Sequence, residues 1–213
     1  MPEIMRTEQY VGLHPTWPNK GRHILARFDS SSIHVYQAYR PAIADYAVKH
    51  QQFGGEFSYS RMSWIKPNFL WMMYRSGWAL KEGQERILAL QLPRTFFDHL
   101  LQSAVASSFN RARHSSAEEW QRQVANSDVR LQWDPDHDPF GRPLERRAIQ
   151  LGLRGETLRR YGTTELLSVT DITDFVAEQR AHVDGDLSSL RVPYEQVYRP
   201  AIGTDTVGLD EIL

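Results

Sequence analysis

The chain has 213 residues, of which 41 % are apolar, so one domain can bury a continuous core. Its formal net charge of −1 excludes a strong global attraction to nucleic acid or anionic lipid, although a local basic groove stays possible. The absence of cysteine excludes disulfides, thiol nucleophiles and cysteine metal ligands. The N-terminus carries no apolar run, and no apolar stretch is long enough to span a bilayer. We therefore expect a cytoplasmic protein without a membrane partner.

Residue patterns predict both strands and helices. Alternation of apolar and polar residues, with β-branched and aromatic side chains, predicts strands over Ile33–Tyr39, Phe57–Ser60, Ile87–Leu92, Val129–Trp133 and Glu165–Ile172. Helical spacing and start signals predict helices beginning near Pro41, Pro67 and Phe96, after a Ser115–Glu118 capping box, over about Leu144–Tyr161, and over Phe175–Arg180. Asp134–Gly141 is predicted to be a long acidic turn.

These elements show no regular βαβ rhythm and no glycine fingerprint. The predicted fold is therefore α+β: a single domain with a mixed or antiparallel sheet flanked by helices. Residues 1–32 are predicted to form a loose N-terminal arm and residues 33–183 the core domain. Residues 184–213 are predicted to form an irregular tail that packs on the core.

The stretch Ser58–Arg75 is the first candidate site, because it mixes hydroxyls, cations and an amide with large aromatic rings. Cations and hydroxyls suit phosphate or ribose, and tryptophan can stack on a base, so the expected ligand is a nucleotide or another planar anion. An alternative is a helix whose aromatic residues simply form core. The candidate ligand-binding residues here are Ser58, Tyr59, Ser60, Arg61, Trp64, Lys66, Asn68 and Trp71.

Two further groups are candidates. Gln37, Tyr39 and Arg40 lie at the end of a predicted strand, where Arg40 either clamps a phosphate or pairs with Asp45. Gln132–Asp138 holds three aspartates around His137, which either bind a divalent cation or pair with Arg142, Arg146 or Arg147. In the second case His137 is expected to be protonated by its acidic neighbours. We favour the ion pairs, predict no metal site, and keep Gln132 and Glu145 as candidates.

The segments Val35–Arg40, Phe57–Met72 and Gln132–His137 resemble the domain of unknown function family DUF4291. The resemblance covers roughly Ile33 to Arg180. It implies the family and no particular activity.

The order of elements is similar to that of the NAD-splitting ADP-ribosyltransferase fold with its arginine, serine and glutamate signature. This resemblance implies that Arg40 holds the phosphate or ribose of NAD and that Ser58 or Ser60 lies on the nicotinamide side. Tyr59 or Trp64 would stack on the nicotinamide. Glu145 would take the place of the signature glutamate, although the chain has no Glu-x-Glu or Gln-x-Glu motif.

The expected function is that of a nucleotide-binding enzyme of the ADP-ribosyltransferase type, with NAD as cofactor and Arg40, Ser60 and Glu145 as the candidate catalytic residues. The alternative is an RNA or single-stranded nucleic-acid binding or processing protein that uses Arg61, Lys66, Arg75 and the tryptophans. A third possibility is an interaction protein without catalysis. The sequence defines neither the acceptor nor the oligomeric state.

Overall fold

The computed structural model describes residues 5–109, 111 and 115–201. Its strands are β1 Thr7–Gln9, β2 Gly21–Arg22, β3 Ile24–Ala26, β4 Ser32–Tyr39, β5 Ser63–Ile65, β6 Arg86–Pro93, β7 Val105–Ala106, β8 Val129–His137, β9 Pro143–Leu153, β10 Ser168–Asp171, β11 Arg191–Pro193 and β12 Gln196–Tyr198. Its α-helices are α1 Tyr10–Leu13, α2 Pro41–His50, α3 Phe69–Ser76, α4 Arg94–Ser103, α5 Ala117–Asn126, α6 Gly155–Gly162 and α7 Thr173–Arg180. The predicted α+β fold is confirmed.

Two sheets form the centre of the fold. The first is antiparallel, in the order β10-β6-β4. The second is mixed, in the order β2-β9-β8-β7, with β5 also paired to β9. The sheets meet where the Tyr36 backbone N–H donates to the Lys66 carbonyl at 2.7 Å. This contact sets the position of β5 relative to β4.

The first sheet buries both of its faces. One face, with Ile33 and Val35 of β4, packs with α2 and α4 and reaches the second sheet. The opposite face, with Tyr36, packs against α1, α3 and α7. Because both faces are covered, most residues of β4 and β6 are buried whichever side they face.

Helix starts explain how α2 and α3 are positioned. Pro41 occupies the first turn of α2, where its missing N–H costs nothing. Asn68 is the N-cap of α3, and its side chain accepts a hydrogen bond from the Trp71 backbone N–H at 2.6 Å. Gly77 ends α3 in the left-handed region, with φ of 57°. The predicted helix after Pro67 is thus present and begins two residues later.

The two ends of the described chain pair with each other. β1 is antiparallel to β11, and β3 is antiparallel to β12. Trp17 is buried, and its indole N–H donates to the Glu195 carbonyl at 2.9 Å. Residues 5–26, expected as a loose arm, are therefore part of the packed fold, and the tail expected to be irregular contributes two strands.

Several local predictions were wrong. Residues 143–153 form strand β9 and not the start of a helix over 144–161, because pairing with β8 and β5 satisfies their backbone. Residues 57–60 form no strand, with a turn at residues 59–60, and the strand follows at β5. Strand β8 continues to His137, which shortens the predicted acidic turn. The α5 N-cap is Ser116, one residue after the predicted one.

Candidate functional site

An open cleft of about 800 Å³ lies where β4 and β5 separate beyond their backbone bridge. Its walls come from the end of β4, the loop before β5, helix α3, and the neighbouring strands β8 and β9. Nine of the thirteen predicted site residues line it: Gln37, Tyr39, Arg40, Ser58, Arg61, Trp64, Lys66, Trp71 and Gln132. Residues far apart in the chain therefore share one cleft.

Lys66 is the most unusual of these residues. The residue is only 4 % exposed, and its amine forms no hydrogen bond or ion pair with any residue that the structure describes. Burial, together with the positive charge of Arg75, lowers its pKa from 10.5 to about 7, while Asp134 opposes the shift. A buried amine without a protein partner lowers the stability of the fold. Since buried groups with shifted pKa values are common at functional sites, Lys66 is the central residue of the candidate site.

Trp71, on the first turn of α3, packs beside this amine. The Lys66 Nζ atom lies 4.5 Å from the centroid of the Trp71 ring, a cation–π distance. Trp71 is 7 % exposed, and its Nε1–H has no hydrogen-bond partner within the described chain. The Lys66 amine therefore borders the cleft without an acceptor, whereas the Trp71 indole nitrogen is buried beneath its surface.

Gln37 is held by a complete hydrogen-bond network. Its Oε1 accepts from the Tyr161 hydroxyl at 2.6 Å, and its Nε2 donates at 2.9 Å to both the Ser63 hydroxyl and the Trp64 carbonyl. The Tyr39 hydroxyl lies 3.0 Å from the Ser63 oxygen. Gln37 therefore orients Ser63 in the cleft and keeps no hydrogen-bonding group for a ligand.

Trp64 lies over β9 because Gly152 leaves room for it. A Cβ atom at Gly152 would come within 2.7 Å of the Met62 sulfur and 3.0 Å of the Trp64 ring. The β5–β9 register pairs Trp64 directly with Gly152. The half-buried indole is thus fixed against the sheet and presents its other face to the cleft.

Gln132 and Gln150 are a directly opposed pair on β8 and β9. Asp134 accepts a hydrogen bond from each side-chain amide, at 2.7 Å from Gln132 and 2.6 Å from Gln150. Both glutamines line the cleft. They add polar groups to a wall next to Lys66.

Charged side chains form the rim. Arg40 pairs with Glu56 at 2.6 Å, and both side chains are more than half exposed. The predicted alternative partner, Asp45, instead pairs with Arg86 at 3.1 Å. Arg61 and Arg75 also line the cleft, and neither forms an ion pair within the described ranges.

Four predicted residues lie outside the cleft lining. Ser60 is exposed beside Ser58, with their oxygens 3.0 Å apart. Tyr59 donates its hydroxyl to the Phe53 carbonyl at 2.9 Å, and Asn68 caps α3. Glu145 is exposed near the start of β9, and strand geometry places its Cα roughly 16 Å from that of Gln150.

The acidic segment around His137 forms ion pairs. Asp136 and Arg146 make a buried pair at 2.6 Å, and Asp138 pairs with Arg142 at 2.7 Å. Among the described residues, no group of three or more His, Asp or Glu side chains could hold a metal ion. The expected protonated histidine is wrong: burial lowers the pKa of His137 despite its acidic neighbours, and its ring stacks on Tyr74.

Sequence reasoning did not select several residues that the cleft contains. Ser63 lies inside the predicted stretch, yet only the Gln37 network distinguishes it from Ser58 and Ser60. Gln150 lies in a segment predicted to be helical, so its pairing with Gln132 had no sequence signal. Glu56 faces Arg40 through the loop before β5 and had no local motif.

Comparison with known proteins identifies a family but no activity. Within the described chain, no helix is both long and apolar enough to cross a membrane. No curated protein matches the sequence. The family model described as "Domain of unknown function (DUF4291)" matches residues 23–198, a span that includes every residue lining the cleft. The chain therefore belongs to the DUF4291 family.

Proposed function

We propose that the cleft binds a nucleotide and that the protein is an ADP-ribosyltransferase-like enzyme that uses NAD. The observation that carries the proposal is the Lys66 amine, which lies over the Trp71 ring at the cleft in a residue only 4 % exposed and has no acceptor within the described chain. A phosphate oxygen supplies the negative charge and the acceptor that this amine lacks. A neutral apolar ligand would leave the amine unsatisfied.

The other walls suit the remaining parts of a nucleotide. Trp64, fixed over Gly152, offers an aromatic face for a planar ring. Arg61 and Arg75 add positive charge at the opening, and Ser63 offers a hydroxyl held in place by Gln37. The combination of stacking surface, cations and oriented hydroxyl supports a nucleotide more than a simple inorganic anion.

In the proposed reaction, the bond between the nicotinamide nitrogen and ribose C1′ breaks, and neutral nicotinamide leaves with the bonding electrons. An acceptor nucleophile forms the new bond to C1′ and loses its proton. Glu56 is the carboxylate that lines the cleft, paired with Arg40 at 2.6 Å, so it replaces the distant Glu145 as the candidate base. Arg40 is proposed to hold the phosphate or ribose of NAD.

The test is calorimetric titration with NAD, combined with measurement of nicotinamide release. We expect NAD to bind, Lys66→Met to lose most of the affinity, and Arg40→Ala to lose turnover. Lys49→Met, which removes an exposed lysine from α2, is the matched control and should bind as the wild type does. Absence of NAD binding at millimolar concentration contradicts the nucleotide proposal, whereas unchanged turnover in Arg40→Ala contradicts only the assignment of Arg40.

A single-stranded nucleic acid is the second candidate ligand. The observation in its favour is that Arg61 and Arg75 are exposed at an open cleft that also contains Trp64. It predicts oligonucleotide binding that weakens steeply with salt and quenches tryptophan fluorescence. Quenching by oligonucleotides and not by NAD would favour this candidate over the enzyme.

A further inference from the structure

The Gln132–Asp134–Gln150 group has a fixed hydrogen-bond direction. Both glutamines donate an amide N–H to the Asp134 carboxylate, at 2.7 Å and 2.6 Å. Because a carboxylate accepts and does not donate, each amide must turn its nitrogen toward Asp134 and its carbonyl oxygen away. Asp134 therefore determines which end of each amide is left for the cleft.

The two carbonyl oxygens are available as acceptors. Gln150 Oε1 has no partner among the residues that the structure describes. Gln132 Oε1 accepts only from the Ser107 hydroxyl, at a long 3.4 Å. Since both side chains line the cleft, this wall favours a ligand that has hydrogen-bond donors.

This acceptor wall lies beside the Lys66 amine. The β5–β9 register pairs Ile65 with Leu151, so the next residue of the chain, Lys66, lies next to Gln150. Gln132 faces Gln150 from β8. The cleft thus presents a donor, at Lys66, and acceptors, at Gln150 and Gln132, on adjacent parts of one surface.

We propose that the ligand carries hydroxyl donors next to its anionic group, as a phosphorylated sugar does, and that Asp134 is the positioning residue that selects it. This inference rests on the proposed nucleotide site and deepens it: the phosphate contacts Lys66, and the ribose hydroxyls donate to Gln150 and Gln132. The ligand is thereby oriented along the wall, with its sugar over β8 and β9.

Replacing Asp134 tests the recognition of the sugar hydroxyls separately from the recognition of the phosphate. In Asp134→Asn the new side-chain amide donates to one glutamine, whose carbonyl oxygen turns inward, so one of the two acceptors is lost from the cleft. Asp134 also raises the pKa of Lys66, so the titrations are made at about pH 5, where the amine is charged with or without Asp134. At that pH, removing a negative charge near Lys66 does not weaken a ligand that consists of phosphate alone. A loss of affinity that is limited to the sugar-containing ligand shows that Asp134 acts by orienting the two glutamine amides.

The experiment is calorimetric titration of the full chain with ADP-ribose and with inorganic pyrophosphate. We expect Asp134→Asn and Gln150→Met to bind ADP-ribose about tenfold more weakly and pyrophosphate as tightly as the wild type or more tightly. Gln123→Met removes an exposed amide on α5 that also donates to a carboxylate, Glu119 Oε1 at 3.2 Å, but lies outside the cleft lining. It is the matched control and should leave both affinities unchanged.

Two results overturn the inference while leaving the proposed function intact. One is wild-type affinity of both variants for ADP-ribose. The other is an equal loss for ADP-ribose and pyrophosphate, which would mean a general disturbance of the cleft. If the wild-type protein binds neither compound, the proposed nucleotide site itself is contradicted, and this inference with it.

Discussion

The Lys66 ammonium group lies 4.5 Å from the centroid of the Trp71 ring, and neither Lys66 Nζ nor Trp71 Nε1 has a hydrogen-bond partner in the described chain. Cation–π attraction offsets only part of the cost of burying the amine. The buried amine therefore lowers the stability of the unliganded protein, and the proposed anionic ligand would supply its missing partner. A substitution at Lys66 is therefore expected to change the stability of the fold and its ligand affinity in opposite directions.

Replacing Lys66 with methionine should stabilise the protein while removing ligand affinity. Methionine has a similar length and keeps the apolar packing without a buried charge, so the free energy of unfolding at neutral pH should rise by about 1–4 kcal/mol. Chemical denaturation of both proteins measures this difference. Lys49→Met in α2, an exposed lysine, should change stability by less than about 0.5 kcal/mol.

The stability gain of Lys66→Met should depend on pH in a defined direction. The Lys66 pKa is about 7 in the fold and 10.5 ordinarily, so between these values the unfolded chain binds a proton that the native protein does not. Wild-type stability therefore gains a favourable contribution from Lys66 as pH rises through this window. The advantage of the methionine variant should shrink over the same window, and a constant advantage would contradict the buried amine.

Ligand affinity should fall as pH rises above about 7. An anion at Lys66 raises the pKa of that amine, so binding takes up a proton when the free amine is neutral. Below pH 7 the free amine is already charged, and affinity should level off. Above it, affinity for ADP-ribose should weaken by up to about tenfold per pH unit until the pKa of the complex is reached.

Titrations from about pH 6 to about pH 9, repeated in buffers of different ionisation enthalpy, measure both the affinity and the proton uptake. The charged groups that face Lys66 are Arg75 on α3 and Asp134 on β8. Arg75→Gln should move the onset of weakening to higher pH, because it removes a positive neighbour. An affinity independent of pH in the wild type would place the ligand anion away from Lys66.

Gly152→Ala should weaken ligand binding with little loss of stability. The new Cβ would meet the Met62 sulfur at 2.7 Å and the Trp64 ring at 3.0 Å, so both side chains must move from β9 into the cleft. We expect about a tenfold loss of nucleotide affinity and a shift in tryptophan emission. Gly12→Ala, where a Cβ meets nothing within 4 Å, is the control and should show neither effect.

Elements with strong local signals could be predicted from the sequence. Alternating β-branched and aromatic residues identified β4, and Pro41 identified the start of α2. β9 could not be identified, because its charged residues also fit a helical pattern and only pairing with β8 and β5 favours the strand. Pairing between distant segments is a property of the whole chain and has no local signal.

The candidate site shows the same limit. Lys66 and Trp71 could be selected because cations among large aromatic rings are informative in one continuous stretch. Glu145 lies outside the cleft because strand β9 carries it away from Gln150, whereas a helix had been expected there. Gln150 and Glu56 reach the cleft only through strand register and loop position, which the residue types do not encode.

Tyr161→Phe should disturb the cleft from a distance. Its hydroxyl donates to Gln37 Oε1 at 2.6 Å, and the loss of that donor leaves a buried amide oxygen unsatisfied, at a cost of about 1–3 kcal/mol in the free energy of unfolding. Gln37 then keeps only its two Nε2 hydrogen bonds and is held less firmly against Ser63, so nucleotide affinity should fall as well. Tyr59→Phe is the matched control: its hydroxyl donates to the Phe53 carbonyl at 2.9 Å and has no contact with Gln37. It should lower stability and leave affinity unchanged. Equal affinities in the two variants, measured by titration with ADP-ribose, would show that the Gln37 network supports the fold without orienting the site.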